Sequence, residues 1–187
     1  MSSASKQGNL YVALLRGVNV GGKNRLPMKD LVAMFTGAGC GDVVTYIQSG
    51  NVVFRATEAR ASRVPGLIAA AIHDRLGFEA PVVMRTAKEL RAVARGNPFL
   101  GSGANPETLH VMFLADRPSP GKVAALDPKR SPPDEFEVRG REIYFHCPNG
   151  MGRTKLTNQY FDTKLSTTST VRNWRTVLTL LEMAGGP

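Results

Sequence analysis

Apolar and polar positions change period along the chain in a regular order. Residues 9–16 (NLYVALLR) put Leu10, Val12 and Leu14 on one face and Tyr11, Ala13 and Leu15 on the other. A strand apolar on both faces is buried on both. Residues 27–37 (PMKDLVAMFTG) switch to helical spacing, with Met28, Leu31, Val32 and Phe35 on one side. Pro27 suits a first helical turn, and Gly37 and Gly39 close the helix. DVVTYIQ (42–48) and NVVFRA (51–56) are β-rich runs around Ser49-Gly50, a tight hairpin signal. A helix over about 60–76 carries Ile68, Ile72 and Leu76, and PVVMR (81–85) reads as a fourth strand. The order β-α-β-β-α-β is the ferredoxin-like split unit.

The cycle then partly repeats. Thr86 caps a helix over 87–95, with Glu89 at the capping-box position. Residues 96–107 (GNPFLGSGANPE) are rich in glycine and proline and read as a linker or lid loop. A strand at 108–116, a short helix at 119–126 and a hairpin at 136–147 turning at Gly140 follow. A glycine-basic loop at 149–158 enters a helix to about 165. A last helix over 171–184 places Val171, Trp174, Val177, Leu178 and Leu181 on one face. The expected architecture is therefore α+β. A ferredoxin-like half at 9–86 and a helix and linker at 87–107 precede a second half at 108–187. That second half is incomplete, with extra C-terminal helices in place of a fourth strand. The repeat is one of topology; no repeat of residues is visible.

Composition adds one outlier. Lys and Arg number 24 against 15 Asp and Glu, a net charge of +9 over 187 residues. A cationic surface favours nucleic acid, anionic membrane or phosphorylated ligands; the bland alternative is a basic, solvated surface. The cations are spread out, which argues against a disordered basic tail. Two distant cysteines with no CxxC exclude a zinc ribbon and a CxxC redox motif and favour a reducing compartment. MSSASKQGN lacks a signal-peptide core, and LYVALL is too short to span a membrane. The expectation is a cytoplasmic protein without membrane contact.

Candidate chemistry concentrates in two loops. Gly17–Lys23 matches G-x-x-x-x-G-K, but the P-loop then needs Ser or Thr for magnesium and this chain has Asn24. Pro27 and an antiparallel hairpin also conflict with a P-loop sheet. A looser anion site survives, built from backbone N–H groups of residues 20–25 with Lys23 and Arg25. Leu10-Tyr11-Val12 resembles the first strand motif of an RNA-recognition fold. The stacking positions after Ser49-Gly50 hold Asn51 and Val52, however, and the sheet face is apolar rather than open. The second loop, Gly150-Met-Gly-Arg153-Thr-Lys155, puts cations at an expected helix start, against the dipole, which an anion would explain. Arg172 and Trp174 open the last helix, with Thr170 capping it and Arg172 solvated as the plain alternative. His73, His110 and His146 lack metal-ligand spacing, and His146 and Cys147 fall on opposite strand faces.

YVALLRGVNVGGKNRLPM, TYIQSGNVVF, GRTKLTN and T-x-RNW-x-TV, in this order, resemble the bacterial family called domain of unknown function 1697. The resemblance runs from about residue 9 to 184. It implies a cytoplasmic α+β protein with ferredoxin-like elements and supplies no catalytic residues. Members usually carry paired threonines before RNW; here Thr170-Val171 stands there. The functional expectation is an anion- or polyanion-binding module, with nucleic acid as the partner and no cofactor or metal. The alternative is an enzyme or sensor for a small phosphorylated metabolite or nucleotide. The polar set Asn19, Gly21, Gly22, Lys23, Arg25, Gln48, Ser49, Asn51, Arg153, Lys155 and Arg172 is expected to line one cleft. Substrate, reaction and oligomeric state stay open.

Overall fold

The computed structural model describes residues 8–186. The N-terminal reading rests mainly on residues 1–7, outside those described. The chain divides into two compact units. One runs to Arg91 and takes in the chain from Leu180; the other is Ala92–Thr179. Each holds one four-stranded sheet in which every pairing is antiparallel. Among the described residues no helix is long and apolar enough to cross a membrane.

The first unit contains β1 (Asn9–Leu15), α1 (Met28–Gly37), β2 (Gly41–Tyr46), β3 (Asn51–Ala56), α2 (Glu58–Ala61), α3 (Val64–Leu76) and β4 (Val82–Thr86). Its sheet order is β2-β3-β1-β4. The two-sided apolar strand is as buried as its sequence requires, since Tyr11 through Leu15 are all at most 6% exposed. Tyr11, Ala13 and Leu15 join Val52 and Phe54 of β3 in one core with Leu31 and Phe35 of α1 and Ile68 and Ile72 of α3. Tyr11 stacks on Phe54 at 5.7 Å, and Phe35 tilts against the same ring at 5.1 Å. Tyr11 is thereby a core residue and offers no platform for a base.

Two expected elements differ in detail. The helix over 60–76 is two helices. Thr57 caps α2 by accepting from Arg60 N, and Pro65 lies in the first turn of α3, where proline is tolerated. The β2–β3 hairpin turns through four residues, with Tyr46 paired to Asn51, and Ile47 sits at φ 48°. The Ser49-Gly50 signal marked the turn but not its length.

The second unit opens as α4 (Ala87–Arg95) leaves the first. The capping box forms as the sequence suggests: Glu89 N donates to Thr86 Oγ1 at 3.1 Å and Thr86 N donates to Glu89 Oε2 at 2.8 Å. Then come β5 (Leu109–Leu114), α5 (Pro120–Ala124), β6 (Glu135–Arg139), β7 (Glu142–His146), α6 (Asn158–Leu165), β8 (Ser169–Asn173) and α7 (Trp174–Met183). The sheet order is β6-β7-β5-β8. Its core gathers Met112, Leu114, Ile143, Phe145, Phe161 and Leu165.

The fourth strand, β8, corrects the expectation of an incomplete second half. The helix starts later than residue 171 because Asn173, not Thr170, is its cap: Asn173 Oδ1 accepts from Thr176 N at 2.8 Å. Ser169 through Asn173 are then free to pair with β5, and Ser169, Thr170 and Arg172 are buried there.

A repeat of residues also emerges, at the last strand of each unit. Arg85 of β4 pairs with Val12, and Arg172 of β8 pairs with Val111, at matching places in matching strands. Arg85 Nη1 donates to the Met84 carbonyl at 2.7 Å; Arg172 Nη1 donates to the Val171 carbonyl at 2.8 Å. Each arginine is followed at once by a capping residue, Thr86 or Asn173, and a helix. Within these two strands, VVMRT and STVRN, only the arginine is shared in type at a matching position, so the linear sequence hides the repeat.

Gly50 closes the β2–β3 turn against the core. Its φ is +78°, and a Cβ would lie 2.7 Å from Leu15 Cβ and from Val18 Cγ2. Gly21, at φ +56°, has open space where a Cβ would stand, with nothing within 4 Å. Gly50→Ala is expected to cost about 3 kcal/mol, strain plus overpacking, and Gly21→Ala about 1 kcal/mol, strain alone. Urea denaturation of both variants checks the difference; equal costs would contradict the packing at Gly50.

Candidate anion-binding loops

The 17–25 segment is a small hairpin fastened by two asparagines. Val20 and Lys23 bridge, with Lys23 N donating to Val20 O at 3.0 Å. The turn between them places both Gly21 and Gly22 at positive φ, which is why two glycines stand there. Asn19 N donates to Asn24 O at 3.0 Å, and Asn24 Nδ2 donates to Gly17 O at 2.9 Å. The Asn19 side chain accepts from Leu26 N at 2.8 Å and donates Nδ2 to Leu26 O at 2.9 Å and to Gln48 O at 2.7 Å. A nucleotide P-loop needs its amides turned to a phosphate; here those of Asn19, Lys23 and Leu26 are spent on the loop itself.

What the hairpin presents is charge. Lys23 and Arg25 are exposed, and their side chains make no hydrogen bond or ion pair among the described residues. Asn19 brings the 47–50 turn against this loop through Gln48. Asn51 is fully buried and donates to Tyr46 O at 3.1 Å and Ser49 Oγ at 2.9 Å. Asn19 and Asn51 therefore act as clasps, and Gln48 is an exposed neighbour.

The second loop corrects an argument from the helix dipole. Helix α6 begins at Asn158, capped by Thr157, whose Oγ1 accepts from Tyr160 N at 3.2 Å. Arg153 closes a separate 3-10 turn, Met151–Arg153, and Lys155 precedes the cap. Neither cation sits in the helix's first turn, so the dipole calls for no anion between them. Both are exposed, and their side chains lack partners among the described residues.

The structure adds two cations that the sequence reading missed. Arg130 Nε donates to Lys155 O at 2.9 Å, and Ser131 Oγ accepts from Lys155 N at 3.0 Å. These bonds bring the exposed Lys129-Arg130 pair to the 153–155 segment. Arg130 also lies 4.0 Å over the Tyr160 ring, a placement that orders the guanidinium. A Lys-Arg pair inside a proline-bounded loop was the available signal.

Arg172 does not join them at the surface. It is 8% exposed in β8, donating to Thr170 Oγ1 at 2.7 Å and to the Val171 carbonyl. Burial pushes its pKa down to about 10, so it stays charged at neutral pH. The solvated reading of Arg172 is therefore replaced by an interior one.

The remaining reactive side chains are packed or surface-paired. Cys40 and Cys147 are free thiols, both buried. Cys147 points to Met151 Sδ at 3.4 Å, while His146 Nδ1 meets Glu135 at 3.4 Å, so the adjacent pair diverges. His73 lies against Asp74 and Glu79. Burial pushes His110 down from its ordinary value, with the Thr108 backbone partly opposing. Among the described residues no three His, Cys, Asp or Glu side chains cluster to hold a metal ion.

A family profile described as "protein of unknown function (DUF1697)" matches residues 9–144. The chain belongs to this family. The matched span holds the whole of the 17–25 hairpin and the 47–50 turn and stops before the 153–155 segment. Among solved structures, the chain is similar to conserved bacterial protein SP0830 from Streptococcus pneumoniae. That likeness has a TM-score of 0.70 at 18% identity, over 96% of this chain and 99% of that one. The two chains share a fold over nearly their full lengths. No curated protein matches the chain.

The hydrogen bonds of the first hairpin separate its structural residues from its free ones. Asn19→Ala removes three of those bonds and leaves Leu26 N unpaired, so it should cost about 2–3 kcal/mol. Lys23→Ala and Arg25→Ala should stay within about 0.5 kcal/mol, since both side chains are exposed and make no hydrogen bond or ion pair among the described residues. Denaturation curves decide, and a large loss at Lys23 would make that residue structural. The buried thiol gives a second test. Burial, and then the Asp134 charge, push Cys147 up from 9.0 to about 12. Native thiols should resist Ellman's reagent until the chain unfolds. A raised folded pKa contributes stability that is complete below pH 9 and lost as pH rises toward 12. Cys147→Ala should lose less stability across that interval than the parent protein; an equal loss would show that the thiol does not contribute.

Proposed function

We propose that the protein binds a polyanion, with nucleic acid as the partner, through exposed cations held on internally fastened loops. The observation that carries this reading is the basic cluster of the second unit. Lys129, Arg130, Arg153 and Lys155 are drawn together by the Arg130–Lys155 and Ser131–Lys155 hydrogen bonds. The net charge of +9 and the unpaired Lys23 and Arg25 of the first unit support it. Order matters as much as charge. A cation on a fastened loop loses less conformational freedom on meeting a phosphate than one on a mobile tail.

The binding is to the phosphate backbone. The large hydrophobic side chains that stand exposed are Val20, Val44, Ile47, Leu67, Leu76, Leu100 and Leu178, none of them aromatic. Among the described residues no aromatic side chain is fully exposed, so base stacking of the kind used by single-strand binders and RNA-recognition sheets is not the favoured mode. Sequence-independent contact with phosphates follows. In this reading each unit is a ferredoxin-like split unit whose loops, not its sheet, carry the function; the sheet orders β2-β3-β1-β4 and β6-β7-β5-β8 support that assignment.

Fluorescence anisotropy with labelled duplex and single-stranded oligonucleotides of random sequence tests the proposal. Affinity should fall steeply with salt, with the same preference for every sequence. Arg153→Ala/Lys155→Ala should weaken binding uniformly and reduce the slope of log affinity against log salt by about 2. An absence of binding at about 50 mM salt, or an affinity indifferent to salt, would sink it.

A further inference from the structure

We infer that the outer face of α1 and α3 carries a second anion site, independent of the loops, that takes a small phosphorylated organic molecule of nucleotide size. A groove of about 600 Å³ lies there within the first unit. Three arginines line it, Arg60, Arg63 and Arg75, and no lysine does. Its volume falls within the range of about 300–1,000 Å³ typical of small-molecule sites.

The groove exists because small residues face one another where large ones would close it. Gly37 of α1 and Ala71 of α3 both line it. A Cβ built on Gly37 meets nothing within 4 Å, so the space beside it is open. The groove's cations are uncompensated. The side chains of Arg63 and Arg75 make no hydrogen bond or ion pair among the described residues. Arg60 is held in place instead: Nη1 donates to the Ala38 carbonyl at 2.9 Å, at the C-terminal end of α1. Gly39 lets it seat there, since a Cβ at that position would collide with the guanidinium. One N–H of Arg60 is thus used and the rest of its fork is available.

These features select the ligand chemistry. Guanidinium forks match the oxygens of a phosphate in pairs, and arginine is the residue that reads that geometry. Three guanidinium groups around one groove repel each other, and a dianionic group among them relieves that repulsion. Between the charged ends lie Leu67, 43% exposed, and Ala71, an apolar floor for the organic body of the ligand. A phosphate ester with an apolar or aromatic body satisfies both parts; inorganic phosphate satisfies one.

The experiment is thermal shift followed by isothermal titration with AMP, ATP, phenyl phosphate and glucose 6-phosphate, with inorganic phosphate and adenosine as controls. At a hundredfold excess over Kd at least one ester should raise Tm by about 5–10 °C, and adenosine should not. Arg63→Ala/Arg75→Ala should abolish the shift. Gly37→Leu should abolish it too while keeping every arginine, because the side chain fills the groove, and it exchanges a helical glycine for a better helix former. Lys23→Ala/Arg25→Ala should leave the shift intact. No shift with any of the four esters overturns the inference. So does a shift that survives Gly37→Leu, or one lost in the loop variant.

Discussion

A central strand with no exposed side governs what the rest of the molecule is able to do. Tyr11 to Leu15 in β1, and all but His110 of Leu109 to Leu114 in β5, are buried. A strand of that kind cannot lie at the surface of a sheet without exposing several large apolar side chains, each costing about 1.5–3 kcal/mol. The sheets are therefore closed to ligands at their centres. Room for a ligand is left in two places: the loops at the strand ends, and the outward faces of the helices. The 17–25 hairpin and the 153–155 segment occupy the first, and the arginine groove occupies the second.

The same constraint explains the paired arginines. Arg85 and Arg172 occupy edge strands beside buried central ones, at matching register, and each begins the step from strand to capped helix. Burying a guanidinium is costly unless its N–H groups find acceptors. Each supplies one bond locally, by folding back on the carbonyl just before it. Arg172 adds the Thr170 hydroxyl, which gives a role to the threonine that the sequence cast as a helix cap. The depressed pKa of Arg172 shows the cost that remains.

Periodicity carried most of the fold. The elements of the first unit, the capping box at Thr86 and Glu89, and the hairpin at Gly140 stand close to where spacing and turn chemistry put them. The failure at β8 has a definite physical cause. Val171, Trp174, Val177 and Leu181 satisfy helical spacing, and Thr170 and Asn173 are both competent caps. Only the pairing of Ser169–Asn173 with β5, far earlier in the chain, chooses between them, and a non-local pairing leaves no mark on local pattern. The candidate site was legible in part. Glycine and lysine at 21–23 announced the hairpin, but residue type alone does not say which side chains are already spent. Asn19, Asn51 and Arg172 looked as available as Lys23, and their hydrogen bonds set them apart. The arginine groove was invisible for the opposite reason: Arg60, Arg63 and Arg75 straddle two helices that the sequence merged into one.

The useful division of this protein's charge is thus between cations with internal work and cations without it. Arg60, Arg130 and Arg172 hold carbonyls or hydroxyls of their own chain. Lys23, Arg25, Arg63, Arg75, Arg153 and Lys155 have side chains with no partner among the described residues. A scattered solvated surface would mix the two kinds at random. Here a fastened cation stands beside free ones twice, Arg130 with Arg153 and Lys155, and Arg60 with Arg63 and Arg75. The fastened member fixes the geometry, and the free members keep their hydrogen-bonding capacity for something outside the chain. Preorganised donors of that kind lose little entropy on meeting an anion, which is the physical reason to place function at these clusters and not at the glycine motif alone.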